Sequence, residues 1–424
     1  MFLISTLISL LYFFIAIFIS INWINDIACY LGYFLAVYLV LFIALIPGFI
    51  YAFMFISLLH NKKEDKKCSK KEVDVTVLIP VYNGKDCIIS TIESIKKQKY
   101  CGNIKIIVID DGSTYGNLKL LKGRDFDCNL RVLETCHRGK SFALNEGLKH
   151  VKTDYVITVG CDTSLHPLAV RNIMKKIVNS SCKTVATAGC LFVRNDKASF
   201  ITKLQQWDYT LGIFGVKLYQ GNYNSTLVAQ GAFSAYKTEK LKEIGGWQPC
   251  VGEDIVLTWE LLSRGYEVNF ESNAIAFTEV PETFKGLLRQ RKRWARGMIE
   301  AFKKVRVITS KKLNFKSKFL MCLNIFFPFV DLALLIFIPL GLIFSAFGNQ
   351  LLIGWLTLLV ILLGMILCLI IEIRRKNVLR KVDCKLERRS VLAFIFYALF
   401  YAFVLAPSCL IGYAKELVNV KKEW

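Results

Sequence analysis

Five long apolar runs at the two ends of the chain constrain its fold more than any other feature of the sequence. They cover residues 1–25, 28–59, 319–347, 351–371 and 391–413, and Asp331 is the only charged residue within them. A helix that crosses a bilayer needs about 20 predominantly apolar residues, a length that each run reaches. The sequence therefore predicts a multi-pass protein of the cell membrane, with a polar region over residues 73–304.

The first two runs predict a transmembrane hairpin over residues 1–60, with its turn at residues 22–27. Residues 1–25 lack the basic start and the small-residue cleavage site of a signal peptide, so we expect a retained anchor. Loops rich in lysine and arginine remain in the cytoplasm. Six lysines directly after the hairpin therefore predict that the polar region is cytoplasmic: Lys62, Lys63, Lys66, Lys67, Lys70 and Lys71.

The C-terminal part is predicted to contain a basic segment along the membrane surface, residues 305–318, and a transmembrane region, residues 319–413. A basic loop at residues 372–389 is expected in the cytoplasm. Five single spans would leave the basic tail, residues 414–424, on the outer side, against the charge rule. Either one run is re-entrant, at Pro328 or Pro407, or the tail is exported.

The chain is strongly cationic, because its 55 Lys and Arg exceed its 33 Asp and Glu by 22. Such an excess favours polyanions: nucleic acid, anionic lipid or phosphorylated small molecules. The basic residues crowd the membrane borders and no nucleic-acid motif occurs, so we expect membrane lipids and phosphates rather than nucleic acid as partners. The 14 cysteines include no C-x-x-C pair, which indicates free thiols in a reducing compartment.

The polar region has the alternating pattern of an α/β domain. Strands are predicted at residues 73–80, 104–109, 131–133 and 155–159, and helices at residues 87–97 and 140–150. This alternation predicts a doubly wound, mostly parallel sheet inserted between the N-terminal and C-terminal membrane helices. Ligands of such sheets bind beyond the carboxyl ends of the strands.

Acidic residues follow two of these strands. Asp110 and Asp111 end the second strand, and Asp162 follows the fourth. Turn chemistry alone favours Asp beside Gly and Ser. The functional alternatives are acceptors for a nucleotide at the first position and a ligand for Mg²⁺ or Mn²⁺ at the second, since these ions prefer carboxylates and substrate phosphates.

A second group of polar residues lies between residues 251 and 294. It opens with Glu253 and Asp254. It closes on a predicted helix that starts near Thr283 and places Gln290, Arg293 and Trp294 on one face. That face combines an amide, a planar cation and a flat ring. Alone, it is equally compatible with a solvated cationic helix that buries one tryptophan.

Taken in order, these motifs resemble the processive, membrane-embedded glycosyltransferases of family 2, the group of cellulose, chitin, hyaluronan and poly-N-acetylglucosamine synthases. The resemblance spans the whole polar region, and residues 280–297 (VPETFKGLLRQRKRWARG) look most like the poly-β-1,6-N-acetylglucosamine synthases. The motifs are residues 77–83 (VLIPVYN), 110–113 (DDGS), 138–145 (RGKSFALN), 161–163 (CDT), 230–234 (QGAFS), 252–254 (GED) and 290–294 (QRKRW).

The resemblance implies a GT-A-type domain that uses a UDP-sugar and a divalent metal, Mg²⁺ or Mn²⁺, and inverts the anomeric carbon. It assigns catalysis to Asp254, as general base, with Glu253 beside it. It assigns the metal to Asp162. The donor would be held by Asp110, Asp111, Lys140 and Arg293, and the acceptor by Gln230, Gly231, Gln290 and Trp294.

The expected product is a β-linked polysaccharide, made from UDP-N-acetylglucosamine as the first choice of donor and passed through the membrane. The expected partners are this donor, a growing glycan or lipid acceptor, and an accessory membrane subunit. One position departs from the family, because Gly160 stands where the metal motif usually has its first Asp. Two alternatives stay open: transfer of one sugar to a lipid, and a catalytically inactive membrane subunit.

Overall fold

The computed structural model describes residues 1–59, 73–84, 87–114, 129–305, 307, 309–348, 355–386 and 388–421. The six-lysine cluster after the N-terminal hairpin lies outside these residues, and so does the orientation inferred from it. Five described helices are long and apolar enough to cross a membrane.

The middle of the chain folds into one eight-stranded sheet with the strand order β3-β2-β1-β4-β7-β6-β8-β5. The pairs β1–β2, β2–β3, β1–β4 and β6–β8 are parallel, and the pairs that involve β7 or β5 are antiparallel. The strands are β1 (Val75–Val81), β2 (Ile104–Asp111), β3 (Asn129–Thr135), β4 (Tyr155–Val159), β5 (Thr163–Leu165), β6 (Thr184–Val193), β7 (Phe233–Lys237) and β8 (Glu267–Thr278).

The predicted mostly parallel sheet is confirmed, and β4 has the predicted bounds. Strand β2 is longer than expected, since Asp110 and Asp111 are its last two residues. Every side chain of β1 is buried. Continuous burial is typical of parallel strands covered on both faces, where runs of Val and Ile replace the polar–apolar alternation of half-exposed strands.

Helices cover both faces of the sheet. On one face, Ile92 and Ile173 lie in one apolar cluster with side chains of the sheet. On the other, Leu144 and Trp259 lie in a second apolar cluster. The helices of this region are α3 (Cys87–Lys96), α4 (Lys140–Lys149), α5 (Ala169–Asn179), α6 (Phe200–Asp208), α7 (Val216–Asn222), α8 (Thr238–Glu243), α9 (Glu253–Ser263) and α10 (Phe284–Lys304), with a π-helical turn, Tyr209–Gly215, joining α6 to α7.

The apolar helices are α1 (Phe2–Leu31), α2 (Tyr33–Leu59), α11 (Phe315–Ala346), α12 (Leu356–Lys381) and α13 (Val391–Leu417). The turn predicted at residues 22–27 is wrong. Helix α1 continues through Asn22 and Asp26 and ends at Gly32, whose φ of 78° lies in the left-handed region that glycine enters without steric cost. Asn22 and Asp26 therefore do not mark the turn between the first two apolar helices.

Residues 305–318 do not form one element. Val305, Val307 and Leu313 are buried, the described residues between them are irregular, and α11 begins at Phe315. The first turn of α11 is fixed to the sheet region by a hydrogen bond of 2.9 Å between the hydroxyls of Ser317 and Ser225.

Candidate active site

The carboxyl ends of β1, β2 and β4 meet at one edge of the sheet, where β7 begins. In the register of the sheet, Val81 at the end of β1 faces Asp110. The backbone N–H of Gly160, just after β4, donates to the carbonyl of Ala232 at 3.0 Å, just before β7. The sheet therefore brings the motifs at residues 110–113, 160–163 and 230–234 to a single edge.

The carboxylates of Asp110 and Asp111 are buried, and both accept hydrogen bonds from within the protein. Oδ1 and Oδ2 of Asp111 accept the backbone N–H groups of Arg138 and Gly139 at 3.0 and 2.9 Å. Oδ1 of Asp110 accepts the N–H and the hydroxyl of Ser113. Asp111 thus holds the loop that leads into α4 and fixes the position of Lys140 in its first turn.

A flat aromatic surface lies next to this pair and was not recognised in the sequence. The rings of Tyr82 and His137 stack with centroids 4.0 Å apart and an interplanar angle of 19°. Nδ1 of His137 lies 3.0 Å from Oδ2 of Asp111. Aromatic residues after the ends of β1 and β3 were the available signal, but a single Tyr and a single His carry no periodicity.

Lys140 and Glu253 form an ion pair that joins α4 to the start of α9. Burial lowers the pKa of Lys140, but Glu253 and Asp254 outweigh burial, and the pKa is raised above its usual value. A Cβ built on Gly231 would meet the ammonium of Lys140. Glycine at position 231 therefore makes room for this ion pair.

Asp254 lies in the first turn of α9, with its side chain at the same edge. Its Oδ2 accepts the N–H of Gly231 at 3.3 Å, and its Oδ1 accepts the N–H of Ile255 at 2.8 Å. The residues before it are held by Glu300 of α10, whose Oε2 accepts the N–H groups of Val251 and Gly252 at 2.8 and 3.3 Å. The carboxylate is thus oriented by two backbone donors, and it is half-buried.

Asp162 is held by hydroxyl groups from two strands. Its Oδ1 accepts from Thr163 at 3.1 Å and from Thr278 at 3.3 Å. A Cβ built on Gly160 would lie 2.8 Å from the same Oδ1. The glycine that stands here in place of the usual first Asp therefore leaves room for the Asp162 carboxylate.

The metal implied by the fold fits only as an ion shared with a substrate. Among the described residues, no three His, Cys, Asp or Glu side chains lie together as a metal site. Burial raises the pKa of the Cys161 thiol to about 12, so this neighbour of Asp162 stays protonated and is a poor ligand. A single carboxylate that acts with substrate phosphates is, however, a common arrangement for Mg²⁺.

Helix α10 begins where the sequence predicted, with Thr283 as its N-cap: the Thr283 hydroxyl accepts the N–H of Gly286 at 3.2 Å. The ring of Trp294 is 38% exposed, and its inner side faces Tyr209 with centroids 6.4 Å apart. Arg293 is exposed, and its charge is among those acting on Lys140. Trp294 is therefore partly exposed, next to Arg293 on α10.

Gln230 and Gln290, which were predicted to bind the acceptor, make different contacts from the other predicted site residues. Nε2 of Gln230 donates to the backbone carbonyls of Gly189 and Phe233 at 2.5 and 3.3 Å, so its amide holds the loop before β7. Oε1 of Gln290 is buried without a hydrogen-bond partner within the described part of the chain. Among the described residues, Gln290 and Asp254 share no hydrogen bond.

Four further residues of the site were missed in the sequence. The buried guanidinium of Arg291 pairs with Asp208 at 2.6 Å and lies 4.1 Å from the ring centroid of Trp294. Tyr209 supports Trp294. Lys217 is buried, and burial lowers its pKa to about 7, an effect that the charge of Asp254 opposes. Such residues depend on contacts between α6, α7 and α10, which neighbouring residues in the sequence do not reveal.

A family model described as "Glycosyltransferase like family 2" matches residues 73–297. This stretch is more than half of the chain, and it contains every site residue predicted from the sequence. The protein belongs to glycosyltransferase family 2 and is an enzyme of that class, with a GT-A-type sheet flanked by apolar helices, as the sequence predicted.

Its relatives include two named poly-beta-1,6-N-acetyl-D-glucosamine synthase. The protein of that name from Staphylococcus aureus is 32% identical over 263 residues, which are 62% of this chain and 63% of the relative. That from Staphylococcus epidermidis is 31% identical over 229 residues, 53% of this chain and 54% of the relative. The match thus spans less than two thirds of either relative.

A similar solved structure is the mannosyltransferase PcManGT from Pyrobaculum calidifontis, in complex with GDP-Man and Mn²⁺. It shares 18% sequence identity with this chain and covers 94% of it, at a TM-score of 0.61, with 99% of its own chain matched. At this identity the likeness shows the fold alone.

Proposed function

We propose that this chain transfers N-acetylglucosamine from a UDP donor to the end of a growing β-linked glycan and passes the product through the membrane. The observation that carries the proposal is the position of Asp254. Its carboxylate lies at the carboxyl edge of the sheet, bonded to Gly231, beside the Lys140–Glu253 pair. The names of the staphylococcal relatives support the choice of sugar.

In the proposed reaction, Asp254 accepts the proton of the acceptor hydroxyl as that oxygen attacks the anomeric carbon of the donor. The bond between this carbon and the diphosphate oxygen breaks, and UDP leaves from the opposite face, which inverts the centre. General base catalysis of this kind contributes about 10² to 10⁴-fold. The two backbone bonds to Asp254 keep the carboxylate aimed at one position.

The donor would lie along the edge of the sheet from β2 to β4. The surface formed by Tyr82 and His137 suits a uracil ring, with Asp110 and Asp111 beneath it. Lys140 and Arg293 would contact the diphosphate, and Asp162 would hold Mg²⁺ or Mn²⁺ against it. When bound, such an ion neutralises charge on the leaving group.

The acceptor would lie on the exposed face of Trp294, since sugar rings present apolar C–H surfaces to aromatic rings. We propose that residues 73–304 carry out this chemistry on the cytoplasmic side, between the membrane regions 1–60 and 319–413. An accessory membrane subunit would find apolar surface on α1, where Phe18 is 78% exposed.

The test is a panel of nucleotide sugars, UDP-N-acetylglucosamine, UDP-glucose and GDP-mannose, offered to the detergent-purified protein with Mg²⁺ or Mn²⁺. We expect UDP release and a polymeric product from the first donor, and loss of both in Asp254→Asn. A product with one sugar on a lipid would overturn polymerisation. Release from no donor, or activity unchanged in Asp254→Asn, would overturn the assignment of catalysis.

A further inference from the structure

The last apolar helix, α13, contacts the sheet region at both of its ends. At its start, Nε1 of Trp207 donates to the carbonyl of Ser390 at 3.2 Å. At its end, Arg296 of α10 pairs with Glu416 at 3.1 Å and donates to the carbonyl of Val420 at 2.7 Å. A helix that crossed the membrane would carry one end away from a domain on one side.

Between its ends, α13 runs along α10. The hydroxyl of Ser408 donates to the carbonyl of Leu288 at 2.6 Å, and Arg291 donates to the hydroxyl of Tyr401 at 3.4 Å. A Cβ built on Gly412 would lie 2.6 Å from the carbonyl oxygen of Lys292, so the backbones are in close contact there. Residues 401–412 of α13 and residues 288–292 of α10 therefore lie at the same depth relative to the membrane.

The exposed charges of α10 indicate whether these helices lie within the membrane or at its surface. Exposed cations on α10 include Lys285, Arg289 and Arg293. A helix of the length of α13, 27 residues, extends about 40 Å, enough to cross a bilayer. If α13 crossed, α10 would cross beside it and expose these cations to hydrocarbon, where charged side chains are strongly disfavoured.

The opposite face of α13 is apolar and exposed. Leu392, Leu399 and Ile411 are 68%, 52% and 51% exposed. They belong to a stripe with helical spacing that continues through Ile395, Ala402, Pro407, Ala414 and Val418, all of them exposed. Because α6 and α10 cover the inner face of α13, this exposed apolar face is the side of the helix that is available to lipid.

We propose that α13 lies along the membrane surface and seats α10, with its Gln290–Trp294 motif, on the lipid. The chain then crosses the membrane four times, through α1, α2, α11 and α12, and its two ends lie on the side of the sheet. This arrangement removes the conflict with the charge rule, because Lys415 and Lys421 remain on the same side as the basic loop at residues 372–389.

Contacts elsewhere agree with this path. The hydroxyl of Tyr223 in the sheet region bonds Ser5 near the start of α1 at 3.2 Å and Ser57 near the end of α2 at 2.6 Å. Arg389, just before α13, donates to the hydroxyl of Thr210 at 2.7 Å. Both ends of the N-terminal hairpin and the return from α12 are therefore at the sheet.

The first test is protease protection in sealed vesicles with the full chain. One variant carries an epitope after Trp424, and a control carries it after Gly348, between α11 and α12. We expect the C-terminal epitope to be cleaved from the same side of the vesicle as the sheet region, and the control epitope from the other side. Cleavage of the C-terminal epitope from the side of the control would overturn the proposal.

The second test measures depth and does not depend on enzyme activity. Spin labels are attached at Leu399→Cys and Ile411→Cys, in a full-length background whose accessible cysteines are replaced by serine, and the protein is reconstituted in anionic lipid. We expect the two labels at equal depth near the headgroups. A crossing helix would separate these positions by about 18 Å in depth, and that result would refute an in-plane helix.

Discussion

Gly252 and Gly297 are in direct backbone contact: a Cβ built on Gly252 would lie 2.6 Å from the Cα of Gly297. Gly252 precedes Glu253 and Asp254 at the start of α9, and Gly297 lies three residues after Trp294 on α10. Together with the bonds from Glu300 to Val251 and Gly252, this contact fixes the proposed general base relative to the proposed acceptor platform.

Gly297→Ala should separate these helices, because the new methyl group would meet backbone atoms that cannot rotate away. We expect sugar transfer to fall by about 10² or more, the effect of misplacing reacting groups by roughly 1 Å. The rate of product formation by purified protein measures the effect.

Gly341→Ala is the matched control for this variant. It is also a glycine-to-alanine change within a helix, but nothing lies within 4 Å of its Cβ, so activity should stay unchanged. Equal activities in the two variants would show that the close approach of α9 and α10 is unimportant for transfer.

Arg291→Lys should weaken acceptor binding. The planar guanidinium contacts Asp208, Tyr401 and the ring of Trp294 at once, and a lysine ammonium cannot reproduce this stacked geometry. We expect an acceptor KM raised by about tenfold, a smaller change in the donor KM, and shorter polymers.

Arg264→Lys provides the comparison, since Arg264 forms an exposed pair with Glu260 on α9. It should behave like the unaltered protein in both KM values. If the donor and acceptor KM values of Arg291→Lys rise equally, the role of Arg291 is structural rather than specific to the acceptor.

Gly160→Ala should weaken the binding of the metal ion that we assign to Asp162. The new Cβ would lie 2.8 Å from Oδ1 of Asp162, so the carboxylate must move from its two threonine partners. We expect the Mn²⁺ concentration for half-maximal activity to rise by about tenfold, with kcat at saturating Mn²⁺ changed less. A titration of activity against Mn²⁺ checks this.

Cys161→Ser changes the adjacent side chain without displacing Asp162, and its half-maximal Mn²⁺ concentration should match that of the unaltered protein. The assignment of the metal to Asp162 fails if Gly160→Ala and Cys161→Ser show the same metal dependence.

Lys217→Met should stabilise the protein most at neutral and acid pH. Burial lowers the pKa of Lys217 to about 7, against about 10.4 in an unfolded chain. Between these values the unfolded state binds more protons, so stability rises with pH over this window and the full penalty of burying the charge applies below pH 7.

We expect a Tm higher by roughly 4 °C in Lys217→Met at pH 6.5, and a difference that vanishes near pH 10. Thermal unfolding in detergent across this range measures it. Lys175→Met, at an exposed position on α5, should show no such pH dependence. A difference in Tm that is constant with pH would mean that packing, not ionisation, distinguishes the variants.

The sequence predicted the sheet well, since β1, β2 and β4 are short apolar runs whose burial on both faces leaves a continuous pattern. It also placed Asp110, Asp111 and Asp162 at the carboxyl edge of the sheet, whereas Asp254 was assigned to the site only through the family resemblance. The use of Asp111 as a cap for residues 138–139 was not predictable, because a carboxylate serves a loop or a ligand with the same residue types around it.

The path of the apolar helices shows another limit of sequence patterns. Hydropathy treats α12 and α13 alike, because both are long and apolar. What distinguishes α13 is a row of contacts with α10, from Arg291 to Arg296, which are distant in sequence. The corner at Gly32 was missed for a related reason, since Asn22 and Asp26 are tolerated near a helix end that reaches polar surroundings.

The ion pair between Lys140 and Glu253 has a consequence for the release of UDP. If Lys140 binds the donor diphosphate as proposed, the diphosphate competes with the Glu253 carboxylate for the ammonium of Lys140, and after transfer Glu253 can pair with Lys140 again. Glu253 would thus compete with bound UDP for Lys140. UDP that accumulates would therefore inhibit the enzyme only weakly. Glu253→Gln should tighten inhibition by UDP, measurable as a lower inhibition constant, and an unchanged constant would contradict this exchange of partners. On this proposal, Glu253 helps to clear UDP from the nucleotide site between successive sugars.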